Sequence, residues 1–516
     1  MPTATRRAEH HSVPATEHLD VLIVGAGISG IGAAHHLQKA FPQRSYAILE
    51  ARESLGGTWD LFRYPGVRSD SDMYTLGYRF RPWTGDAALA AGGDILRYLQ
   101  DTAHEAGIDR RIRYGHRVLR AEWCSQDARW TLDAIRGDGE PVALTCSFLL
   151  MCSGYYRYDH GHTPHFEGAE DFKGRIVHPQ HWPADLDHSG KRVVVIGSGA
   201  TAVTLVPAMS EQAAHVTMLQ RSPTYIAPVP GRDAIAGALR RVLGERLAAV
   251  ITRWKNVGFQ TAVYRVSRRR PQLVRRIVRR AQRRRLPQDF DIDTHLTPSY
   301  DPWDQRMCWV PDGDMFAAIR AGRASIVTDH VARFTEGGIE LRSGRTLDAD
   351  VIVTATGLEL LAFGGIELHV DGLEVVLPDT TAYKGTMLSG VPNFAFTIGY
   401  TNSSWTLKAD LVSQYVCRVL AHMDCEGHAV CVPVGDPDLG RRPIFDLAAG
   451  YIQRAADQLP RSGDRKPWRM GKSYVHDLVT LRHGRIADGV LRFGAASPAP
   501  VQQAPATDAA CTPVAA

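Results

Sequence analysis

Two glycine turns, each set between a short apolar strand and a helix-forming run, constrain this chain more than any other feature. The first is Gly25-Ala26-Gly27-Ile28-Ser29-Gly30, after the apolar run Val21 to Val24. The second is Gly197-Ser198-Gly199-Ala200-Thr201-Ala202, after Val193 to Ile196. An unbroken apolar run of this length reads as a parallel strand buried on both faces. GxGxxG or GxGxxA in that setting is the dinucleotide-binding turn. The first glycine makes the tight turn, the second lets a pyrophosphate approach the backbone, and the third position lets the helix pack on the strand. The helix N-terminus then offers N–H donors and partial positive charge to phosphate. Two such units predict an α/β protein with two Rossmann-like dinucleotide-binding domains.

The tips of the second strands separate the two ligands. "SYAILEAR" ends its strand in Glu50, which accepts a ribose 2′-OH and repels a 2′-phosphate. That predicts FAD at the first turn. "HVTMLQRSP" ends in Gln220-Arg221 with no acid, and an arginine there pairs a 2′-phosphate through two donors. That predicts NADPH at the second turn, and hydride transfer from NADPH to a flavin. The strands in Phe148 to Tyr156 and Ala349 to Leu360 each run into a small-residue glycine turn and read as crossings between domains. The expected organisation is a disordered leader at 1–18 and a first FAD-binding part at 19–152. An NADPH domain at 153–340 follows, then the returning FAD part at 341–493 and a disordered Ala/Pro-rich tail at 494–516.

Charge narrows the partners. The chain has 516 residues and a net charge of +5, but Arg265 to Arg285 alone holds eleven arginines and no acid, so the remainder carries 5 − 11 = −6. No nucleic acid is expected as partner of the whole protein. Leu273, Ile277 and Ala281, joined by Val274 and Val278, are expected on one face of a helix after Pro271. Arg275, Arg276, Arg279, Arg280 and Arg283 are expected on the other. This basic amphipathic helix falls in a mostly helical insertion at about 223–300. Two readings stand open: attachment to an anionic membrane surface on the cytoplasmic side, or a helix packed on the protein with a solvated basic face. No apolar run is long enough for a membrane span, and no secretory signal is visible at the start. The eight cysteines include no CxxC pair. Reduced thiols in the cytoplasm are expected. A zinc ribbon, any other metal site and a flavin disulfide reductase are not.

Two longer motifs remain. "GGTWDLFRYPGVRSDSDMY" (Gly56 to Tyr74) is too aromatic for a plain solvent loop and reads as the cover of a flat ring system. "DFKGRIVHPQHWPAD" carries Phe172, Gly174, His178, Trp182 and Pro183 at the spacing FxGxxxHxxxWP. Together with Gly57-x-Trp59-xxxx-Tyr64-Pro65-Gly66-xxx-Asp70, this resembles the Baeyer–Villiger monooxygenases, class B flavoprotein monooxygenases, over roughly residues 19–493. With "DPWDQRMC", the chain is most similar to the ethionamide-activating subgroup.

The resemblance implies NADPH- and O2-dependent oxidation of ketones to esters or lactones through a C4a-peroxyflavin, with S-oxygenation of thioethers or thioamides. An S- or N-oxygenating flavin monooxygenase without a ketone substrate is the alternative. The resemblance implies Arg306 as the active-site cation and Asp70 as its partner. It makes Phe172, Gly174, His178 and Trp182 a motif that couples the domains as the nicotinamide moves. For FAD it implies Gly25, Gly27, Ser29, Gly30, Glu50, Gly57, Thr58, Trp59, Asp70, Tyr74 and Val118. For NADPH it implies Arg68, Asp70, Gly197, Ser198, Gly199, Ala200, Thr201, Ala202, Arg221 and Ser222. Many relatives carry Lys before the arginine. Here Gln305 stands in that place, so preference for NADPH rests more on Arg221. His35, His36 and His181 read as structural. Oligomeric state is left open.

Overall fold

A computed structural model describes residues 17–445, 447–471 and 473–496. Most of the expected leader and tail lies outside these residues. Glu17 and His18 already belong to the first strand, Glu17–Val24, and Gly494 to the last, Leu491–Gly494.

The two largest sheets form one around each glycine turn. In the nine-stranded sheet, Glu17–Val24 lies centrally between Tyr46–Leu49 and Pro141–Met151, parallel to both. Pro141–Met151 also pairs antiparallel with Arg129–Ile135, so the sheet is mixed. Phe394–Phe396 joins it late, parallel to Pro141–Met151. The second sheet has five strands, all parallel, in the order Ala324–Thr328, His215–Gln220, Arg192–Ile196, Val351–Thr354 and Arg175–Val177.

Alternation along the central strands explains why both faces are apolar. Val21 and Ile23 face one hydrophobic cluster, and Leu22 and Val24 face another. Val193 and Val195 face a third, and Val194 and Ile196 a fourth. Helix Ile28–Ala40 packs on the first sheet beside the returning helix Trp405–Glu426. Gly25 sits at φ +104°, where a side chain is strained, and a Cβ there would lie 2.7 Å from the Cys152 carbonyl oxygen.

The expected return to the FAD part at 341 is too early. Val351–Thr354 lies inside the second sheet between Arg192–Ile196 and Arg175–Val177. The crossing back therefore follows Thr354. There the outgoing and returning segments pair: Tyr156 bridges Leu360, and Arg157 N–H donates to the Glu359 carbonyl at 2.9 Å.

The insertion is helical, with Ala234–Arg269, broken at Gly244, leading into Pro271–Arg283. The expected faces of the second helix need correction. Val278 and Gln282 are its buried residues, while Leu273 is 49% and Ile277 58% exposed. Val274 and Val278 pack with Tyr225 and Met307, a quarter-turn away from the Leu273/Ile277 line. Arg275, expected in solvent, reaches Asp301 at 2.7 Å. Among the described residues, no helix is long and apolar enough to cross a membrane.

Candidate functional site

A cavity of about 540 Å³ opens between the two glycine turns. Gly25, Gly27, Ser29 and Glu50 line it from the first strand–helix unit. Gly57, Thr58, Trp59, Arg68 and Asp70 line it from the aromatic loop, with Val118 nearby on the same sheet. Ala200, Thr201 and Arg306 close it from the other side. Gly25 and Arg306, 281 positions apart, thus line one cavity.

The first turn is shaped for a backbone-bound ligand. A Cβ on Gly27 would lie 3.6 Å from the Gly57 Cα, and one on Gly57 would lie 3.2 Å from the Gly27 Cα. Two bare backbones face each other across a gap that side chains would fill. Gly30 packs so tightly that a Cβ would reach 1.9 Å from the Gly25 carbonyl oxygen, which is its helix-on-strand role. Glu50 is buried, and its two carboxylate oxygens accept N–H from Ala26 at 2.8 Å and Arg52 at 3.0 Å. Burial pushes its carboxyl above the usual range against those two donors. Arg68 pairs with Asp314 at 2.5 Å, yet its Nη2 is buried without a hydrogen-bond partner. An orphaned guanidinium donor on the cavity wall, tied to Asp314 of the second unit, fits the phosphates of the NADPH expected there. The facing glycines and Glu50 fit FAD.

Tyr74 is a correction. Its side chain packs with Ala88 and Ala236, and it does not line the cavity. The loop around it has a second duty. Tyr64 is buried in the hydrophobic core of the second sheet with Ala202 and Val203, and burial pushes its phenol up to about 12. A Cβ on Gly66 would lie 2.7 Å from the Ala208 Cβ. The aromatic loop therefore docks on helix Ala200–Met209 as well as walling the cavity.

The second turn is more open. Gly197 sits at φ +136°, and a Cβ on Gly199 would meet nothing within 4 Å. Ser198 Oγ lies 2.8 Å from Thr224 Oγ1 and donates to the Ser222 carbonyl at 3.3 Å. Ala202 is buried in the first turn of helix Ala200–Met209. Arg221 and Ser222 are exposed, and Arg221 has no carboxylate partner among the described residues. A free guanidinium at the strand tip fits the 2′-phosphate of NADPH. Gln305 is bridged to Pro302 in the loop before Arg306.

Arg306 Nη1 stands 3.1 Å from an Asp70 carboxylate oxygen. About a third of each side chain is exposed, and both line the cavity. Asp70, helped by the nearby phenols, holds the guanidinium's pKa well above its usual value against burial. Tyr155, Tyr156 and Tyr451 surround it, and burial raises all three phenols, so they remain neutral donors. Sequence reasoning missed these tyrosines. "GYYRY" directly after a strand of the first sheet was the available signal. Trp405 was missed too: its Nε1 donates to Ser29 Oγ at 2.7 Å.

The FxGxxxHxxxWP motif does not line the cavity. Phe172 meets Phe334 edge-on at 6.5 Å, and a Cβ on Gly174 would lie 2.3 Å from the Asp350 carbonyl oxygen. Trp182 packs half-buried on the core of the second sheet. His178 Nε2 lies 3.2 Å from the Gly357 carbonyl, and its Nδ1 accepts the Gln180 N–H at 3.2 Å. Both bonds suit the neutral Nε2–H tautomer, and burial lowers the ring's pKa. The motif thus clamps the second sheet to the paired crossing segments.

Comparison with known proteins agrees with this geometry. A family model described as flavin-binding monooxygenase-like matches residues 89–371, and an NAD(P)-binding Rossmann-like model matches 23–82. The chain is 56% identical over 488 residues to the FAD-containing monooxygenase EthA of Mycobacterium tuberculosis, covering 94% of this chain and 99% of that one. The chain belongs to the flavin-binding monooxygenase-like family. This monooxygenase is also 53% identical to EthA of Mycolicibacterium smegmatis, over 93% of this chain and 97% of that one. Its fold matches an oxidized steroid monooxygenase bound to NADP, with TM-score 0.74 at 22% identity, over 93% of this chain and all of the other. It also matches an ε-caprolactone-bound cyclohexanone monooxygenase, with TM-score 0.72 at 17% identity, over 93% and 100% of the two chains.

Proposed function

We propose that this monooxygenase carries out FAD- and NADPH-dependent Baeyer–Villiger oxidation of small apolar ketones to esters or lactones, with oxygenation of thioethers or thioamides at the same site. The observation that carries the reading is the Arg306–Asp70 contact inside a cavity walled by both glycine turns.

When bound, FAD would supply the redox chemistry, accepting hydride from NADPH and activating O2 so that one oxygen atom goes to the product and the other to water. The chain's own residues do the rest. The facing Gly27 and Gly57 backbones, with Glu50, hold the first dinucleotide. Arg221 holds the 2′-phosphate of the second. Arg306 presents a fixed positive charge where negative charge develops on oxygen. Asp70 aims that charge, and arginine keeps it at any working pH. Tyr64, packed in the core of the second sheet, keeps the two dinucleotide sites in register.

The test is product analysis after turnover with NADPH and air, on linear, aryl and cyclic ketones and a thioether. Esters or lactones support the reading. Sulfoxide alone with every ketone refused moves the assignment to an S-oxygenating enzyme.

A further inference from the structure

A second cavity, of about 230 Å³, adjoins the first, and Tyr400 lines both. Its middle is apolar, with Tyr264, Trp303, Phe445, Leu447 and Met470 in the wall. Three ties set it beside Arg306. Trp303 stands three residues before Arg306 in the chain. The Ala448 N–H, next to Leu447, donates to the Asp304 carbonyl at 2.9 Å. The Phe445 ring lies 5.7 Å from that of Tyr155, one of the phenols around Arg306. Buried Tyr400 stands at the inner end of the cavity, its hydroxyl held by Asp477 at 2.8 Å.

The outer end is cationic. Arg442 and Arg469 line the cavity and are exposed. Strand alternation explains the first of them. In the strand Arg441–Pro443, Arg441 turns to one face and meets Asp379, while Arg442 and its register partner Ser462 face the cavity. Ser462 Oγ accepts the Met470 N–H at 3.0 Å, which joins the Arg469 segment to the same wall. The neighbouring arginines are neutralised: Arg441, Arg461 and Arg465 pair with Asp379, Asp457 and Asp436. Arg442 and Arg469 have no carboxylate partner among the described residues. No described residue lining this cavity is acidic. Asp477, which holds Tyr400, is already paired with Lys408.

We infer that the second cavity is a substrate subsite, seating an alkyl chain whose far-end carboxylate is held by Arg442 and Arg469 while the ketone stands at Arg306. An apolar cavity with unpaired guanidinium groups at its mouth buries the chain and gives the carboxylate charge-assisted donors. A cofactor phosphate fits worse as the anion, because neither glycine turn contributes to this wall. The chemistry rests on the reaction proposed above. With one O2, one NADPH and a proton, the keto acid gains one oxygen atom beside its carbonyl, and water and NADP+ leave. The carboxylate is bound and left unchanged.

The experiment has two arms, both on the FAD-loaded full chain. The first needs no turnover: equilibrium dialysis of octanoate and of octanol. Octanoate should bind about tenfold or more tightly than the alcohol, and salt should weaken the acid alone. Arg442→Gln with Arg469→Gln should cancel that preference. Arg442→Lys with Arg469→Lys keeps both charges and should restore part of it. The second arm compares KM for an oxodecanoate, its ketone next to the terminal methyl, with KM for its methyl ester. The acid should have the lower KM by roughly 10- to 100-fold, and the Gln pair should erase that ratio. Both side chains are exposed, so flavin content and unfolding temperature should match the parent. Equal binding of acid and alcohol, or a Gln pair that weakens both alike, overturns the inference even where ketones are oxygenated. Preferential octanoate binding with every ketone refused upholds the anionic subsite and overturns the ketone reading instead.

Discussion

Arg306 and Asp70, 236 positions apart in sequence, meet at 3.1 Å on the wall of the main cavity, and the contact ties the two dinucleotide units together. Arg306→Ala should leave FAD bound, because the first turn is untouched, and should lower the rate of oxygenated product by about 100-fold or more. Arg306→Lys should recover little, since an ammonium lacks the planar fork that Asp70 aims. Steady-state product formation with enzyme of matched flavin content decides this. Full activity in Arg306→Ala would remove the residue from the site.

Arg221 is free at the tip of its strand, and Gln305 supplies no second charge. Arg221→Ala should raise KM for NADPH roughly 10- to 100-fold, the worth of one charge-assisted contact. KM for NADH should hardly move. If the ratio of the two constants is unchanged, the 2′-phosphate is held elsewhere.

Much of this was legible because it lives in local chemistry. The glycine turns, the acid at Glu50 and the arginine at Arg221 each follow from what the backbone and a ribose require, within a few residues of a buried strand. The misreadings share one cause, which is tertiary packing. Helical spacing put Leu273, Ile277 and Val278 on one broad face, yet only the Val274/Val278 edge met the protein. Tyr74 stands beside the cavity loop in sequence, but helix Ala234–Arg269 covers it from the far side. The tyrosines around Arg306 come from two distant segments, and no spacing rule joins Tyr155 to Tyr451.

We propose that His178 acts through position. Its ring spans the motif and the crossing segment, touching the Gly357 carbonyl at 3.2 Å, and it lies outside the cavity. His178→Ala should cost up to about tenfold in kcat with little change in flavin content, the worth of one hydrogen bond. His178→Gln keeps a donor toward Gly357 and should restore part of it. A loss confined to thermal stability, with kcat intact, would reduce the residue to scaffolding.

Lys408 is fully buried, with Nζ 2.8 Å from an Asp477 oxygen that also accepts the Tyr400 hydroxyl at 2.8 Å. Asp477→Ala would strand a buried ammonium and should cost about 3–5 kcal/mol of stability. Replacing both partners by apolar residues of similar size should cost much less. Urea unfolding of the single and double variants separates a stranded charge from lost packing, and equal costs would contradict the buried-pair account.

His35 gives stability a pH dependence whose sign is fixed by geometry. The ring stacks on Phe80 at 3.5 Å, and burial, then His36 and Lys39, lower its pKa from 6.5 to about 4, with Asp410 opposing. Above pH 6.5 the ring is neutral in both folded and unfolded chains, so its contribution is fully present. As pH falls toward about 4, the unfolded chain takes up a proton that the folded ring refuses, and stability is lost over that window. His35→Gln removes the titration while leaving the Asp410 carboxylate, whose own acid loss is common to both proteins. The parent's urea midpoint should therefore fall more steeply than the variant's between pH 6.5 and 4. Parallel curves would mean that the ring protonates without penalty in the folded chain.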